Sequence, residues 1–435
     1  MSFEIPFSHI AEIIMGQSPK GEEVNNEGIG LPLLNGPTEF TDRYPAPVQH
    51  TAYAKKISLP GDILFCVRGS TTGRMNYSDQ KYCIGRGLAA IRGRNGYPTP
   101  YVKAVLETYL PKLLAAATGS TFPNVSKDLI NNIPVSVLPV ENACNISKLI
   151  ELQEEKVFTN NQINQTLEQM AQALFKSWFV NFEPVKAKMA VLEAGGSQED
   201  ATLAAMSAIS GKDADTLAVF EREQPEHYAE LKATAELFPS AMQDSELGNI
   251  PVTWELGKLQ DLLVLQRGFD LPSSARKDGE FPLIAASGPN GTHNVAMAKA
   301  PGVITGRSGV LGKVYLTLED YWPLNTTLWV KEFKRATPCY AYELLRLLDM
   351  KAFNAGSAVP SLNRNHIHSL SYPLPPMALV NLFESSALLL HQRAHVNLKH
   401  SQSLALLRDT LLPKLLSGEI TLPEAEQAVS EAENV

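Results

Sequence analysis

An α+β protein built as an internal repeat is what this sequence predicts: two tandem mixed α/β domains, each followed by a long helix. Three observations carry that expectation. Residues 119–178 align without a gap on residues 356–415, at a constant offset of 237 and with ten of 60 positions identical. A repeat of this kind is read first because it fixes the architecture. Upstream the copies still correspond, but the offset drifts from 252 to 237. Phe7, Ile10, Ile13 and Gly16 match Leu259, Leu262, Leu265 and Gly268, and PGDILFCVRGSTTGRMNY from Pro60 resembles PGVITGRSGVLGKVYL from Pro301. The third observation is a change of period inside each copy, from short β-like runs to heptad spacing.

The elements follow in order. Residues 1–144 form the first domain. ISLPGDILFCV from Ile57 is β-branched and aromatic, bounded by Gly and Pro, and reads as strand; TPYVKAVLETYLPKLLAAA from Thr99 reads as helix. Residues 145–182 contain no Pro or Gly and carry Leu149, Leu167, Met170 and Leu174 at heptad-like spacing, which predicts a long helix. Its 38 residues would make a rod of roughly 57 Å. Residues 183–255 are strongly acidic and read as a connector with short helices at most. Residues 256–376 form the second domain, with NTTLWVKEF from Asn325 as strand and CYAYELLRLLDMKAF from Cys339 as helix. Residues 377–418 are the second long helix, with Leu390, Leu404, Leu407 and Leu411 on its seam; residues 419–435 are an acidic tail. Asn160 and Asn397 fall in the same a-type slot of the two helices. A buried polar pair there would fix register, while two solvent-facing amides would fit the pattern equally.

The 435 residues suit two to four domains at roughly 150 residues each. Four dispersed cysteines with no CxxC pair suit a reduced, cytoplasmic protein and exclude a zinc ribbon or a disulfide scaffold. No apolar run of membrane-spanning length occurs, and MSFEIPFSHI lacks the layout of a signal peptide. The net charge of −8 would argue against nucleic acid. Its distribution removes that objection. The net charge is +1 over residues 1–144, −1 over 145–182, −9 over 183–255, +4 over 256–376 and −3 over 377–435. The two mixed domains are neutral to basic, so contact with DNA through them is allowed.

Catalytic patterns fail one by one. GRSGVLGKV from Gly306 has one residue too many between the glycines for a phosphate loop, and Val314 stands where Ser or Thr is needed. LPPM near Pro375 lacks the acid or amide and the aromatic of an amino-methyltransferase motif, and no GxGxxG follows a strand. A nuclease-like Asp320, Glu332 and Lys334 has no counterpart in the first copy. His366 and His368 alternate as in a strand or turn and read as structural. What the copies share is polar loops. Arg68, Ser70, Arg74, Asn76 and Arg86 lie in the first, and Arg307, Ser308, Lys313 and Asn325 in the second. An Arg fork can pair with guanine and an Asn amide with adenine, while Ser, Thr and Gly backbone groups suit phosphates.

At these residues the chain resembles the DNA-specificity subunits of type I restriction–modification enzymes. The resemblance covers about residues 1–420. It is carried by GSTFPNVSKDLINNIPVSVLP from Gly119 and its repeat GSAVPSLNRNHIHSLSYPLPP from Gly356, with ALFKSWFVNFEPVKAKM from Ala173, LFPSAMQDSELGNIPVTWELGKL from Leu237 and LRDTLLPKLLSGEI from Leu407. It implies two target-recognition domains separated by two long antiparallel coiled-coil helices with an internal pseudo-twofold. It also implies a non-catalytic subunit that binds double-stranded DNA, two modification subunits and two restriction subunits. S-adenosylmethionine for adenine-N6 methylation would sit on the modification subunits, and ATP and Mg on the restriction subunits, with no cofactor on this chain. The family has no fixed set of base-reading residues, so the loop residues named above rest on their chemistry alone. Two other readings remain open on the residues: a single-chain DNA nuclease or methyltransferase, and a duplicated adaptor with no DNA role.

Overall fold

The computed structural model describes residues 2–117, 123–353, 361–421, 423–425, 427 and 430. Gly119 and Gly356, which open the repeated motif, lie outside these residues, as does much of the acidic tail. The chain forms two compact units, Met1–Ile163 with Asn397–Val435, and Asn164–Val396.

In the first unit, β1 (Ala11–Met15), β2 (Leu31–Leu34), β3 (Ile63–Cys66), β4 (Met75–Tyr77), β5 (Tyr82–Ile84) and β6 (Leu88–Gly93) precede helix α1 (Thr99–Ala115). A four-stranded sheet runs in the order β1-β6-β3-β4, and β2 and β5 belong to a second sheet of five strands. Ile63, Leu64, Phe65 and Cys66 are buried on both faces because one sheet face meets α1 and the other meets Leu34, Tyr82 and Ile84. Strand Phe3–Pro6 pairs antiparallel with Pro134–Val137 and closes the domain. Helix α2 follows over Val140–Phe179, starting five residues before the expected position, immediately after Pro139.

The second unit holds the acidic segment read as a connector that could carry short helices. Helices α3 (Glu183–Glu193), α4 (Gln198–Ser210), α5 (Ala214–Glu223) and α6 (Pro225–Glu236) fill it. Ala205, Met206, Leu217 and Ala235 share a small core. Ser197 and Asp200 make a capping box, and Asp213 caps α5 through the Thr216 N–H. Part of the acidity is therefore helix-capping chemistry. Lys188 is buried and donates to the Phe238 carbonyl at 2.6 Å, which fastens α3 to the chain leaving α6.

The second domain repeats the first. Strands β7 (Leu263–Arg267), β8 (Phe281–Ala285), β9 (Gly302–Gly306), β10 (Val314–Thr317), β11 (Trp322–Pro323) and β12 (Thr327–Phe333) precede α7 (Pro338–Leu347). The main sheet has the order β7-β12-β9-β10, the counterpart of β1-β6-β3-β4. Strand Glu255–Lys258 pairs with Ser371–Leu374, as Phe3–Pro6 pairs with Pro134–Val137. His366 and His368 lie on a short helix, Arg364–His368, and not on a strand. His368 Nε2 accepts from the Leu265 N–H at 2.9 Å, and burial holds its pKa below the usual value, so the neutral ring suits this acceptor role. The second long helix is α8 (Met377–Ser417).

The long helices pack antiparallel within each unit. In the first, Asn160 Nδ2 donates to Ser401 Oγ at 3.1 Å and to the Asn397 carbonyl at 3.4 Å. Ile146 and Ile150 share a core with Leu412, Leu415 and Leu416, so one helix ascends as the other descends. Asn160 and Asn397 are 4% and 6% exposed, which decides for the buried arrangement. In the second unit Phe175 and Trp178 meet Phe383 edge-on, with ring centroids 5.5 and 6.4 Å apart. Leu404 is buried, while Leu149, Leu167, Leu174, Leu390, Leu407 and Leu411 are half-buried. Met170 is corrected: it is 52% exposed, and Ala171 takes the inward position because Phe175 and Trp178 fix the helix face.

Candidate nucleic-acid interface

Strand register collects the polar loops. Ala89 pairs with Met15, Leu88 with Cys66, and Phe65 with Met75, all antiparallel. The C-terminal ends of β1 and β3 therefore lie beside the N-terminal ends of β6 and β4. Parallel pairing of Leu34 with Ile84 brings in the ends of β2 and β5. Residues 16–20, 35–37, 67–74 and 85–87 leave the fold at this one end. The second domain does the same. Arg267 and Thr305 both pair with Leu328, Thr305 pairs with Val314, and Ile284 with Pro323.

Backbone approach at this end demands glycine. A Cβ on Gly16 would lie 2.2 Å from the Gly85 carbonyl oxygen, and one on Gly268 would lie 2.2 Å from that of Leu324. The hydrogen bonds behind these approaches correspond one to one. Gly16 N–H donates to Leu88 and Gln17 N–H to Ile84; Gly268 N–H donates to Thr327 and Phe269 N–H to Pro323. Gly85 N–H donates to Leu34, as Leu324 N–H donates to Ile284. The long loops are tied down in the same way, Val125 N–H to the Val67 carbonyl and Leu362 N–H to that of Arg307.

The structure places Arg68, Ser70, Arg74 and Arg86 on this end, all exposed. Among the described residues the three arginines form no ion pair, although Arg74 Nη1 reaches the Pro37 carbonyl at 3.4 Å. Arg307, Ser308 and Asn325 are half-buried and Lys313 is exposed at the matching end of the second domain. Asn76 does not belong with them. It is 4% exposed, accepts from the Thr41 N–H at 3.1 Å and donates to the Thr41 carbonyl at 2.9 Å. Its alternation within β4 turns it inward.

Sequence reasoning missed the residues beside Arg86 and Asn325. A groove lined by Ser18, Asn35, Gln49 and Arg86 opens at the first site. The Arg86 N–H donates to Ser18 Oγ at 3.1 Å, Ser18 Oγ to Asn35 Oδ1 at 3.3 Å, and Asn35 Nδ2 to Gln49 Oε1 at 3.4 Å. At the second site Asn325 Nδ2 donates to Asp270, which also faces Arg267 Nη2 at 3.4 Å. The matched Gly16 and Gly268 were the available signal, since Ser18 and Asp270 follow each by two residues. Such ends offer guanidinium forks, amides and hydroxyls, the groups that contact base edges and phosphates.

Among the described residues no group of three or more His, Cys, Asp or Glu is placed to hold a metal ion. Asp320 of the nuclease-like triplet bonds Lys299 Nζ at 2.6 Å and the Ala300 N–H at 3.0 Å. No described helix is long and apolar enough to cross a membrane.

The family described as type I restriction modification DNA specificity domain matches residues 5–169. The chain is 29% identical over 408 residues to the type I restriction enzyme HindI specificity subunit of Haemophilus influenzae, covering 84% of this chain and 88% of that protein. It is 35% identical over 141 residues to the putative type I restriction enzyme MjaX specificity subunit of Methanocaldococcus jannaschii, covering 32% of this chain and 33% of that one. A solved type I restriction–modification S subunit from M. genitalium shares the fold, with a TM-score of 0.54 over 95% of this chain and 96% of that one at 14% identity. Residues 5–169 thus match the type I restriction modification DNA specificity domain, and over most of its length the chain is similar to a type I restriction enzyme specificity subunit.

Proposed function

We propose that the chain is the non-catalytic specificity subunit of a type I restriction–modification complex, and that it reads a bipartite, asymmetric DNA site. The observation that carries this reading is the loop end built twice, with the same backbone bonds and different side chains. Two like platforms with unlike surfaces suit two unlike half-sites. The subunit binds no cofactor of its own and works in assembly with the other subunits.

The finer picture is also ours. Two modification subunits would dock on the two repeated helices, since a pseudo-twofold pair of surfaces suits two copies of one protein. They would carry S-adenosylmethionine and methylate adenine at N6 after the base leaves the stack. Two restriction subunits with ATP and Mg would complete the nuclease. The long helices would set the number of base pairs between the half-sites, favouring centres about one helical turn apart.

Co-expression of the full chain with the modification subunit in a host lacking adenine methylation, followed by methylome sequencing, tests the reading. A two-part methylated motif is expected, and exchange of residues 1–140 for another such domain changes one half only. Methylation or cleavage by the purified chain alone would defeat it, and so would the absence of any sequence-specific mark.

A further inference from the structure

We infer that Arg86 and Asn325 occupy one specificity-determining locus, present once in each domain, and that they select guanine in one half-site and adenine in the other. The inference rests on the DNA-reading function proposed above and assigns residues to it.

The equivalence comes from the backbone. Gly85 and Leu324 donate to matching residues, Leu34 and Ile284. The next residues are Arg86 and Asn325. Gln17 and Phe269 donate to Ile84 and Pro323, so Ser18 and Asp270 are matched likewise. Ser18 holds the main chain of Arg86, and Asp270 holds the side chain of Asn325. The same place in the fold therefore presents a polar residue held by its matched neighbour, through the backbone at Arg86 and through the side chain at Asn325.

The bracing leaves the required faces available. At the first locus Ser18 takes the Arg86 N–H, and among the described residues the guanidinium forms no ion pair. A Cβ on Gly85 would lie 2.4 Å from Asn35 Oδ1, and one on Gly87 would lie 2.4 Å from the Asn35 carbonyl oxygen. Arg86 is thus carried between two glycines that let its loop lie against Asn35, with an exposed fork suited to guanine O6 and N7. At the second locus Asp270 takes one Nδ2 hydrogen of Asn325. The other hydrogen and Oδ1 remain for adenine N7 and N6, a bidentate pair. Arg267 beside Asp270 offsets the carboxylate that would otherwise face DNA.

The test uses the complete modification complex and the methylome readout. Arg86→Ala should relax one G·C position of one half-site, losing roughly 10- to 100-fold discrimination, with the other half intact. Asn325→Ala should relax one A·T position in the other half by a similar factor. Exchange variants supply the second arm: Arg86→Asn shifts that position toward adenine, and Asn325→Arg shifts its own toward guanine. An unchanged motif overturns the assignment, as does relaxation in the same half by both alanine variants. A uniform fall in methylation across an intact motif would make the residue a phosphate contact and overturn it too. If neither variant at a position assembles with the modification subunit, that residue serves folding and the assignment fails. A parent complex that marks no two-part motif defeats the underlying function instead, so the two failures are distinct.

Discussion

A residue's chemistry misleads when its direction is unknown, and Asn76 shows how. It sits two residues after Arg74 in a polar run, yet β4 turns it into the fold, where it satisfies both backbone groups of Thr41. Asn76→Ala leaves those groups unpaired at a cost of about 1–3 kcal/mol. The expected outcome is a lower unfolding midpoint with an unchanged methylated motif. A changed motif would return Asn76 to the residues proposed to face DNA. Arg68, Arg74 and Arg86 were legible because each stands in a loop rich in glycine, where a charged side chain has few inward choices. Ser18 and Asp270 were not, because their importance comes from which strand end lies beside them.

Elements differ in how much of their packing sequence period conveys. The strands and α1 were legible from local pattern, since PGDILF and its counterpart repeat with their neighbours. Short helices could be allowed over residues 183–255, but their shared core could not be seen, because its close packing uses alanines such as Ala205 and Ala235, which leave little apolar periodicity. The long helices were legible in extent but not in phase, as Met170 shows. Asn160→Ala removes the donor to Ser401 and should cost about 1–3 kcal/mol of stability, read as a lower thermal midpoint of the complex. No loss would mean that solvent reaches the pair.

A pH test belongs to α7. Glu343 is 1% exposed, and burial raises its pKa to about 7 although Arg346, at 3.5 Å, and Lys176 oppose the rise, with Glu168 adding to it. His391, packed edge-on against Tyr342, is pushed down to about 4 by burial, with Glu168 opposing and Arg346 assisting. The folded state holds an extra proton on Glu343 between its unfolded value of 4.5 and about 7, so this group's contribution falls as pH rises through that range. The loss is on the order of 3 kcal/mol and is complete above pH 7. His391 runs oppositely, losing stability as pH falls from 6.5 toward 4. Glu343→Gln should therefore raise the thermal midpoint at pH 8, with the gain vanishing near pH 4.5. An equal gain at both pH values would remove ionisation as the cause.

At the scale of the whole molecule, the units do not follow the order of the chain. Residues 397–435 belong with residues 1–163, and Leu412, Leu415 and Leu416 complete the core that contains Phe7, Phe65 and Ile146. Truncation after Asp409 should therefore damage the distant N-terminal domain, seen as lost hydrogen-exchange protection over residues 1–138 with protection of residues 256–376 retained. Loss confined to the C-terminal segment would contradict this. Ser2 Oγ also donates to the Ser417 carbonyl at 3.3 Å, so the beginning of the chain closes on the end of α8. On the ribosome this reverses the expected order of folding. The unit formed by residues 164–396 is continuous and has all its parts once Val396 emerges, whereas the domain made before it must wait for Leu412, Leu415 and Leu416.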